Sequence, residues 1–507
     1  MEIMGNLRSF VSAVRRNRHL DSMATGIWIS NRAALELLDP ELRQKFKAVL
    51  LEENLWPTSI NGFPFGGFHE QRVKENVYLP DWSSSARLDY TCLLAELASV
   101  LLLDAPDPFR KCAISTVPLG FKDSWTEQKE IQAIKNLHVA EEYFRKVSGE
   151  SDVNISLCLE MEPGCVLEST PEVIDFWKRL YAGSEVAAGS KQPETNHEFP
   201  AAAPQALGLC YDICHQAVMF ESIFDSLQSL AQAGIPVFKF QISSAIEVRW
   251  PSVLSDSPDI PDLDSGQSPD PLAPDVREAA DIVQRLRPFC DQRYLHQTSV
   301  LGDELHRYLD LDIALKRADA PGRGPAKGPG PQENAASRSH LAHAETSNAQ
   351  APDSLSLEHL SSDNFKGKAR NLWRIHYHVP IHLESLDDGL EDDEAGEPSR
   401  SIDPESERPK ETQFIGRADE KKEGGSHPSD SIRNTGLFTT KNQIEQTLDY
   451  LAAFGGRQKF APVLEVETYT WTVLPESLRD RYTDVVESIQ KELDYLEQCL
   501  QKRNLLG

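Results

Sequence analysis

Three short apolar runs of this sequence each end in acidic or imidazole side chains. One run delivers Asp212 and then His215, an earlier one ends at Glu160, and the last one ends at Glu467. Carboxylates at the ends of several different strands are how a parallel barrel builds an active site at its C-terminal face. The order Glu, Asp-x-x-His, Glu therefore indicates a hard-metal site or an acid/base site.

In several extended runs of the sequence, two polar residues are spaced by two positions, so the pair shares one face of a strand. Glu160 pairs in this way with Glu162, and His376 pairs with His378. Buried carboxylates on the helix side would be costly, so we expect these faces to point into the barrel, where converging acids need a cation or shared protons. Mn²⁺, Mg²⁺ or Zn²⁺ held by two Glu, an Asp and an imidazole would polarise a carbonyl or enediolate oxygen while a carboxylate moves a proton.

A lysine lies in the run from Val237 to Gln241. Val237, Lys239 and Gln241 share a face, so we expect Lys239 to point into the barrel together with Gln241. There its ammonium would pair with a carboxylate, partly replace the charge of a metal, or act as a base if desolvated. The alternative is a lysine at a solvated rim.

A glycine- and aromatic-rich loop follows the strand that ends at Asn61. It contains Phe63, Phe65, His69 and Arg72. Aromatic rings with cationic side chains directly after a strand end suit a wall or lid that grips a ring or an anionic substituent. The alternative is a loop packed for structural reasons.

Bulk composition excludes several classes of protein. The 507 residues carry 79 acidic and 52 basic side chains, a net charge of -27, which argues against nucleic acid and anionic membranes as partners. No apolar run approaches about 18 residues, so we do not expect an integral membrane protein. The eight cysteines form no CxxC pair and are typical of core thiols in a reducing compartment, which predicts a cytoplasmic location.

Short β-type runs alternate with amphipathic helical stretches from about residue 24, which predicts βα units and a parallel sheet. Segments rich in Asp, Ser, Pro and Gly interrupt this rhythm late in the chain and are predicted to be disordered. The predicted divisions are a first part of the barrel over 1–250, an insert over 251–274, a barrel helical segment over 275–317, an insert over 318–370, a barrel strand segment over 371–386, an acidic insert over 387–436, and the last barrel strand with the C-terminal helix over 437–507.

Several of these strings together resemble a known family. Asn61-Gly-Phe-Pro-Phe-Gly-Gly-Phe-His69, Cys210-Tyr-Asp-x-Cys-His215 and Leu464-Glu-Val-Glu-Thr-Tyr-Thr-Trp471 are similar to the metabolite traffic protein EboE family of bacterial ebo operons. That family lies within the xylose isomerase-like TIM barrels, which include sugar isomerases, 3-epimerases and endonuclease IV. The resemblance implies an α/β fold, a (β/α)8 TIM barrel of the xylose isomerase-like type with long disordered inserts late in the chain.

The resemblance also implies roles for particular residues. Glu160, Asp212 and Glu467 match metal-ligand positions of the isomerases, and His215 matches a substrate-contacting imidazole. Gln241 stands on the strand where the isomerases place a histidine ligand, so a histidine such as His376 or His378 would have to substitute. The predicted catalytic residues are Glu160, Glu467, His215 and Lys239; the predicted metal ligands are Glu160, Asp212, Gln241, His378 and Glu467; the predicted substrate-binding residues are Asn61, Phe63, Phe65, His69, Arg72, Glu162 and Trp471.

Relatives begin with a strand and loop before the helix that matches Asn6–Arg18. The resemblance therefore predicts that the first barrel strand is missing from this chain. Either the start codon is placed too far downstream, or the barrel is open between its first and last strands, which would leave an exposed strand edge.

The resemblance and the acid pattern together give three hypotheses of function. The first is a divalent-metal-dependent (Mn, Zn or Mg) isomerase or epimerase acting on a polyol-like or phosphorylated metabolite, within the handling or export of a biosynthetic precursor. The second is a non-catalytic metabolite-binding traffic protein. The third, a phosphodiester hydrolase like endonuclease IV, is disfavoured by the acidic charge and by missing histidine ligands. The expected partners are a small-molecule metabolite and other ebo operon products.

Overall fold

The computed structural model describes most of the chain, with gaps in its second half. The described residues are 2–66, 74–182, 205–251, 274–291, 293–302, 304–318, 372–387, 435–455, 461–467, 471 and 473–506. The three segments predicted to be disordered, 251–274, 318–370 and 387–436, lie almost wholly outside the described residues.

The described chain contains twelve strands. In chain order they are β1 Met23–Trp28, β2 Leu55–Asn61, β3 Lys111–Thr116, β4 Asn154–Glu160, β5 Leu207–Asp212, β6 Val237–Ile242, β7 Ile246–Arg249, β8 Thr298–Leu301, β9 Leu305–Tyr308, β10 Leu372–Ile375, β11 Gly436–Thr439 and β12 Val463–Val466.

The α-helices of the described residues mostly connect or cover these strands. They are α1 Glu2–Asn6, α2 Ser12–Asn17, α3 Asn31–Glu36, α4 Pro40–Glu52, α5 Ser85–Leu101, α6 Glu127–Ser151, α7 Thr170–Tyr181, α8 Ile213–Val218, α9 Ile223–Gln232, α10 Pro274–Leu286, α11 Leu311–Ala318, α12 Lys441–Phe454, α13 Glu476–Arg479 and α14 Val485–Lys502. Short 3-10 turns occupy Lys74–Tyr78, Lys122–Ser124 and Arg287–Phe289, and a π-helical turn occupies Leu7–Val11.

Seven strands form one parallel sheet in the order β1-β2-β3-β4-β5-β6-β12. Strands β3 to β6 are buried almost throughout, as expected when helices cover one face and the barrel interior fills the other. The prediction of a parallel α/β barrel of the TIM type is confirmed, with seven parallel strands in the described residues.

The two outer strands of this sheet, β1 and β12, come close to each other, so the sheet curves into a nearly closed barrel. The carboxylate of Glu465 on β12 accepts a hydrogen bond of 2.7 Å from the hydroxyl of Ser59 on β2. It also fills the space beside Gly26 of β1, where any Cβ atom would overlap it. Glycine at position 26 therefore permits the close approach of the two outer strands.

Five short strands form a second, antiparallel sheet in the order β11-β7-β10-β8-β9. All of them lie between β6 and β12 in the chain, so this sheet is an insertion before the last barrel strand. The prediction of a barrel strand within 371–386 is wrong, because Leu372–Ile375 pairs with β7 and β8 rather than with the parallel sheet. Helices α10 and α11, predicted as barrel helices within 275–317, pack on the hydrophobic core of the second sheet.

Buried polar contacts attach the second sheet to the C-terminal end of the barrel. Arg374 on β10 pairs with Glu247 on β7 at 3.1 Å and donates a hydrogen bond of 2.9 Å to the carbonyl of Ala217, in the helix that follows β5. The amide of Val379 donates to the carbonyl of Ser244, just after β6, at 3.0 Å. The chain that follows β10 is thereby held over the carboxyl ends of β4, β5 and β6.

Two further features of the described residues bear on the sequence predictions. All eight cysteines are free thiols, and six of them are buried, as expected for thiols that act as small core residues. No helix in the described part of the chain combines the length and apolar character needed to cross a membrane.

Candidate active site

A cleft opens between the carboxyl ends of the barrel strands and the second sheet. It is partly open to solvent, and its cavity volume is about 120 Å³. Its walls come from both sheets. The lining residues are Asn61, Phe63, Pro64, Lys74, Val77, Tyr78, Glu160, Glu162, His215, Tyr294, Leu295, His376, His378, Glu467 and Val473.

The barrel contributes Glu160 at the end of β4 and Glu162 two residues later, and both are buried. Glu162 accepts a hydrogen bond of 2.8 Å from the hydroxyl of Tyr78. The side-chain amide of Gln297, from the second sheet, donates to the Tyr78 oxygen at 3.2 Å and to the carbonyl of Pro163 at 2.9 Å. The carboxylates at the end of β4 are therefore supported by both regions of the molecule.

Strand β5 delivers Asp212 at its end, and the first turn of α8 delivers His215. Asp212 Oδ1 accepts from the backbone amide of His215 at 3.1 Å and from the hydroxyl of Ser243 at 2.7 Å. Asp212 is thus the N-cap of α8, which explains the Asp-x-x-His spacing. Burial would raise the pKa of Asp212, but His215, His378 and the Ser243 hydrogen bond outweigh it and hold that pKa below the ordinary value.

The second sheet contributes two histidines through the extended chain that follows β10. His376 Nε2 lies 3.0 Å from His215 Nε2, and His378 Nε2 lies 3.7 Å from Asp212 Oδ2. Burial lowers the pKa of His376 well below its ordinary value and that of His378 to about 4. Both imidazoles are therefore neutral near pH 7 and able to act as ligands or hydrogen-bond acceptors.

Glu160 and Glu467 form a pair of acids that face the same cleft. Burial raises the pKa of Glu160 well above its ordinary value, and the nearby carboxylates of Glu467 and Asp212 raise it further. Burial raises the pKa of Glu467 to about 8, although Lys239 opposes the rise. An acid whose pKa is raised toward neutral pH, as that of Glu467 is, is suited to take up and release a proton during a reaction.

The donor set of the cleft fits a divalent cation. Glu160 Oε2 and Asp212 Oδ2 are buried and have no hydrogen-bond partner among the described residues, and unsatisfied buried carboxylate oxygens are costly. Asp212, His215 and His378 each bring a ligand atom within 4.8 Å of the others. Carboxylate oxygens with imidazole nitrogens are the ligands of Mn²⁺ and Zn²⁺.

The other predicted metal and catalytic residues lie around this group. Gln241 is buried beside Glu467, and its amide oxygen lies 3.1 Å from the sulfur of Cys210. Lys239 does point into the barrel, but it does not line the cleft; its ammonium pairs with Glu465 at 2.5 Å. The structure gives Lys239 a partner deeper in the barrel, and its charge still lowers the pKa values of Glu160 and Glu467 from there.

The predicted substrate-binding residues divide into three groups. Asn61, Phe63 and Glu162 line the cleft. Phe65 instead packs edge-on against Tyr90, and Trp471 packs against Tyr482, so neither lines the cleft. His69 and Arg72 lie outside the described residues.

Sequence reasoning did not include Tyr78 or Gln297 among the site residues. Tyr78 follows the glycine- and aromatic-rich loop closely in the chain, but its hydroxyl is recognisable as part of the site only once Glu162 is seen beside it. Gln297 directly precedes β8 of the second sheet, and no motif in the sequence indicates that its amide reaches the end of β4.

The fold and this cleft define a parallel β/α barrel with its candidate site at the carboxyl ends of the strands. No protein-family model and no curated protein matches the chain. Solved structures similar to it include a D-allulose 3-epimerase from Methylomonas sp. (14% identity, 47% of this chain, 66% of that chain, TM-score 0.28) and the probable 3-DHS dehydratase AsbF from Bacillus anthracis (13%, 56%, 84%, 0.28).

A third similar structure is a xylose isomerase-like TIM barrel protein from Mycobacterium smegmatis in complex with magnesium, at 15% identity over 48% of this chain and 67% of that chain, with a TM-score of 0.30. The match spans slightly less than two thirds of the D-allulose 3-epimerase chain. At these TM-scores the similarity carries no argument about the reaction, and the fold assignment rests on the sheet topology itself.

Proposed function

We propose that this protein is an isomerase or epimerase of the sugar or sugar-phosphate type, which moves a proton beside a carbonyl group in the cleft. The observation that carries the proposal is the pair Glu160 and Glu467, two acids of raised pKa that face one cavity. Burial raises the pKa of both acids, and the charge of Glu467 raises that of Glu160 further, so we propose that one of the pair is ionised while the other keeps its proton.

These two states have complementary roles in proton transfer. The ionised member of the pair removes a proton from the carbon next to the carbonyl, and the protonated member returns one to the intermediate. Glu162, held by Tyr78, and the imidazole of His215 are placed to bind substrate hydroxyl groups. Phe63 and Val473 give the cleft apolar walls.

A divalent metal would be held by the predicted set Glu160, Asp212, Gln241, His378 and Glu467, within which His378 Nε2 lies 3.7 Å from Asp212 Oδ2. Such an ion would supply positive charge beside an oxygen of the substrate. Lys239 is left out of the mechanism, since its ammonium is occupied by Glu465.

The biological setting proposed for this reaction is the handling or export of a biosynthetic metabolite inside the cell, alongside other ebo operon products. The similarity of the Asn61–His69 and Leu464–Trp471 strings to the EboE family supports it. A cleft lined by Phe63, Tyr78 and Leu295 also suits the second hypothesis, a protein that binds the metabolite without converting it.

Hydrogen exchange tests the proposal and does not require the product to be identified. The protein, supplied with Mn²⁺, is incubated in D₂O with a panel of ketoses, aldoses and their phosphates, and exchange of the proton next to the carbonyl is followed by NMR. We expect exchange with at least one compound and a loss of roughly 10²- to 10⁴-fold in Glu467→Gln.

Glu150→Gln is the matched control, because Glu150 is exposed on α6, which precedes the amino end of β4. This variant should exchange at the wild-type rate. Binding of a sugar to folded wild-type protein with no exchange would overturn the enzyme proposal in favour of a binding protein.

A further inference from the structure

The contact between His215 and His376 has an unusual chemical consequence. Their Nε2 atoms lie 3.0 Å apart, which is hydrogen-bond distance and requires a hydrogen on one of them. The protonation of each ring is fixed by what its other nitrogen contacts, because a neutral imidazole carries a single N–H group.

His215 is constrained by a backbone carbonyl. Its Nδ1 lies 2.7 Å from the oxygen of Met161, and a carbonyl oxygen can only accept. Nδ1 of His215 therefore carries the hydrogen, and in the neutral ring Nε2 presents a lone pair.

His376 is constrained by Gln297 in the same way. The amide nitrogen of Gln297 donates to the carbonyl of Pro163 at 2.9 Å, which leaves its oxygen to face His376 Nδ1 at 2.6 Å. Nδ1 of His376 must donate to that oxygen. The neutral ring then also presents the lone pair of Nε2, so two lone pairs face each other.

A cation between these two nitrogens would remove the repulsion between their lone pairs, and a carboxylate lies beside them. Glu162, His215 and His376 each bring one ligand atom within 4.8 Å of the others, and all three residues are buried. The 3.0 Å separation is shorter than two Zn–N bonds of about 2.1 Å each, so one ion can reach both nitrogens.

The surroundings match those of histidine metal ligands. Such histidines donate their other N–H to a carbonyl or carboxylate, which fixes the tautomer and the ring orientation. Met161 and Gln297 provide these acceptors, and Glu162 is itself fixed by the Tyr78 hydroxyl.

We propose that His215, His376 and Glu162 form a binding site for a transition-metal ion of the Zn²⁺ or Co²⁺ class, one that does not use Asp212 or His378 as ligands. Two imidazoles and one carboxylate favour these ions over Mg²⁺, which prefers oxygen ligands. The second sheet would supply one ligand, so this ion would hold the insertion against the barrel. The site lies in the cleft of the proposed function, and with the ion bound a substrate hydroxyl group would contact His215 and Glu162 through the ion; binding of the ion does not require turnover.

The test is Co²⁺ binding to the full-length protein after removal of metals with a chelator. Excess Mg²⁺ is present throughout to fill oxygen-rich positions, and bound Co²⁺ is read from its visible absorption and by elemental analysis after dialysis. We expect one Co²⁺ per chain in the wild type. His376→Gln should raise the dissociation constant at least about 100-fold, and Gln297→Leu, which removes the acceptor behind His376, by roughly 10- to 100-fold.

Two control variants separate this site from the residues around it. His382→Gln changes a histidine of the same segment that contacts Tyr482 instead, and Asp212→Asn changes the neighbouring carboxylate set; both should retain Co²⁺ while they remain folded by circular dichroism. Loss in Asp212→Asn with retention in His376→Gln would overturn the proposal, as would a folded wild type that binds none, which would mean a shared proton instead. Neither Co²⁺-binding result depends on the hydrogen-exchange experiment, so the isomerase or epimerase proposal is tested separately from this metal site.

Discussion

Two groups of buried charge lie in the same barrel, and their surroundings differ. Deeper in the barrel, Lys239 pairs with Glu465, Ser59 donates to Glu465, and Lys239 also donates to Ser115 at 3.3 Å. At the carboxyl ends of the strands, buried oxygens of two acids have no hydrogen-bond partner among the described residues.

The difference separates a structural charge pair from a functional site. The deep pair compensates its own charge, so nothing else is needed to keep it buried. The group at the strand ends holds an excess of acid that a ligand, a metal or bound protons must offset. Proteins accept that kind of instability where they bind or react.

The largest contrast should come from the same substitution made in each group. Glu465→Gln leaves the Lys239 ammonium buried without its counter-charge, so we expect a loss of about 3 kcal/mol in the free energy of unfolding, measured by urea denaturation. Adding Lys239→Met to Glu465→Gln should restore most of the loss. An unchanged stability in the single variant would mean that the pair does not stabilise the barrel.

At the carboxyl ends of the strands, the corresponding substitution of glutamate by glutamine should increase the free energy of unfolding instead of lowering it. Glu160→Gln removes one of the mutually repelling acids, so we expect the metal-free protein to gain about 1 kcal/mol at pH 8. The measurement is the same urea titration, with chelator present. A loss of stability comparable to that of Glu465→Gln would show that Glu160 is compensated within the fold and would remove the distinction between the two groups.

The smallest expected effect is a pH dependence. The pKa of Glu467 rises from 4.5 to about 8 in the folded protein, so the folded state keeps a proton that the unfolded state releases. Stability therefore falls as pH rises from about 4.5 to about 8 and levels off above that range. Because Glu467 is partly exposed, we expect a contribution of only about 1 kcal/mol.

Thermal unfolding of the metal-free protein between pH 5.5 and 8.5 measures this effect. The decline should be shallower in Glu467→Gln, which has no proton to lose. Equal slopes in the two proteins would show that Glu467 titrates normally, which would weaken its proposed role in proton transfer.

The barrel was predictable because its strands carry local signals. The runs predicted from their acidic ends are strands in the structure, since β5 ends at Asp212 and β4 ends at Glu160. The parallel arrangement followed from the repeated alternation of strand and helix.

The second sheet was not predictable in the same way. Its strands are only four residues long, and Ile375 pairs with Thr298 and Ile246, which are far away in the sequence. Local patterns carry no information about such pairings, so the extended run at 372–375 was predicted in the wrong sheet. His376 and His378, which follow this run, were identified from the sequence as candidate ligands, but the residues that they contact were not.

The sequence by itself determined which chemistry is available. Strand alternation set Glu160, Asp212 and Glu467 at strand ends, and capping set His215 one turn beyond Asp212. Only the tertiary structure decided which charges are compensated, because Lys239 could have paired with any of several acids and the fold pairs it with Glu465. It also decided the tautomers of His215 and His376, since a ring's proton follows the carbonyl that the fold places beside it.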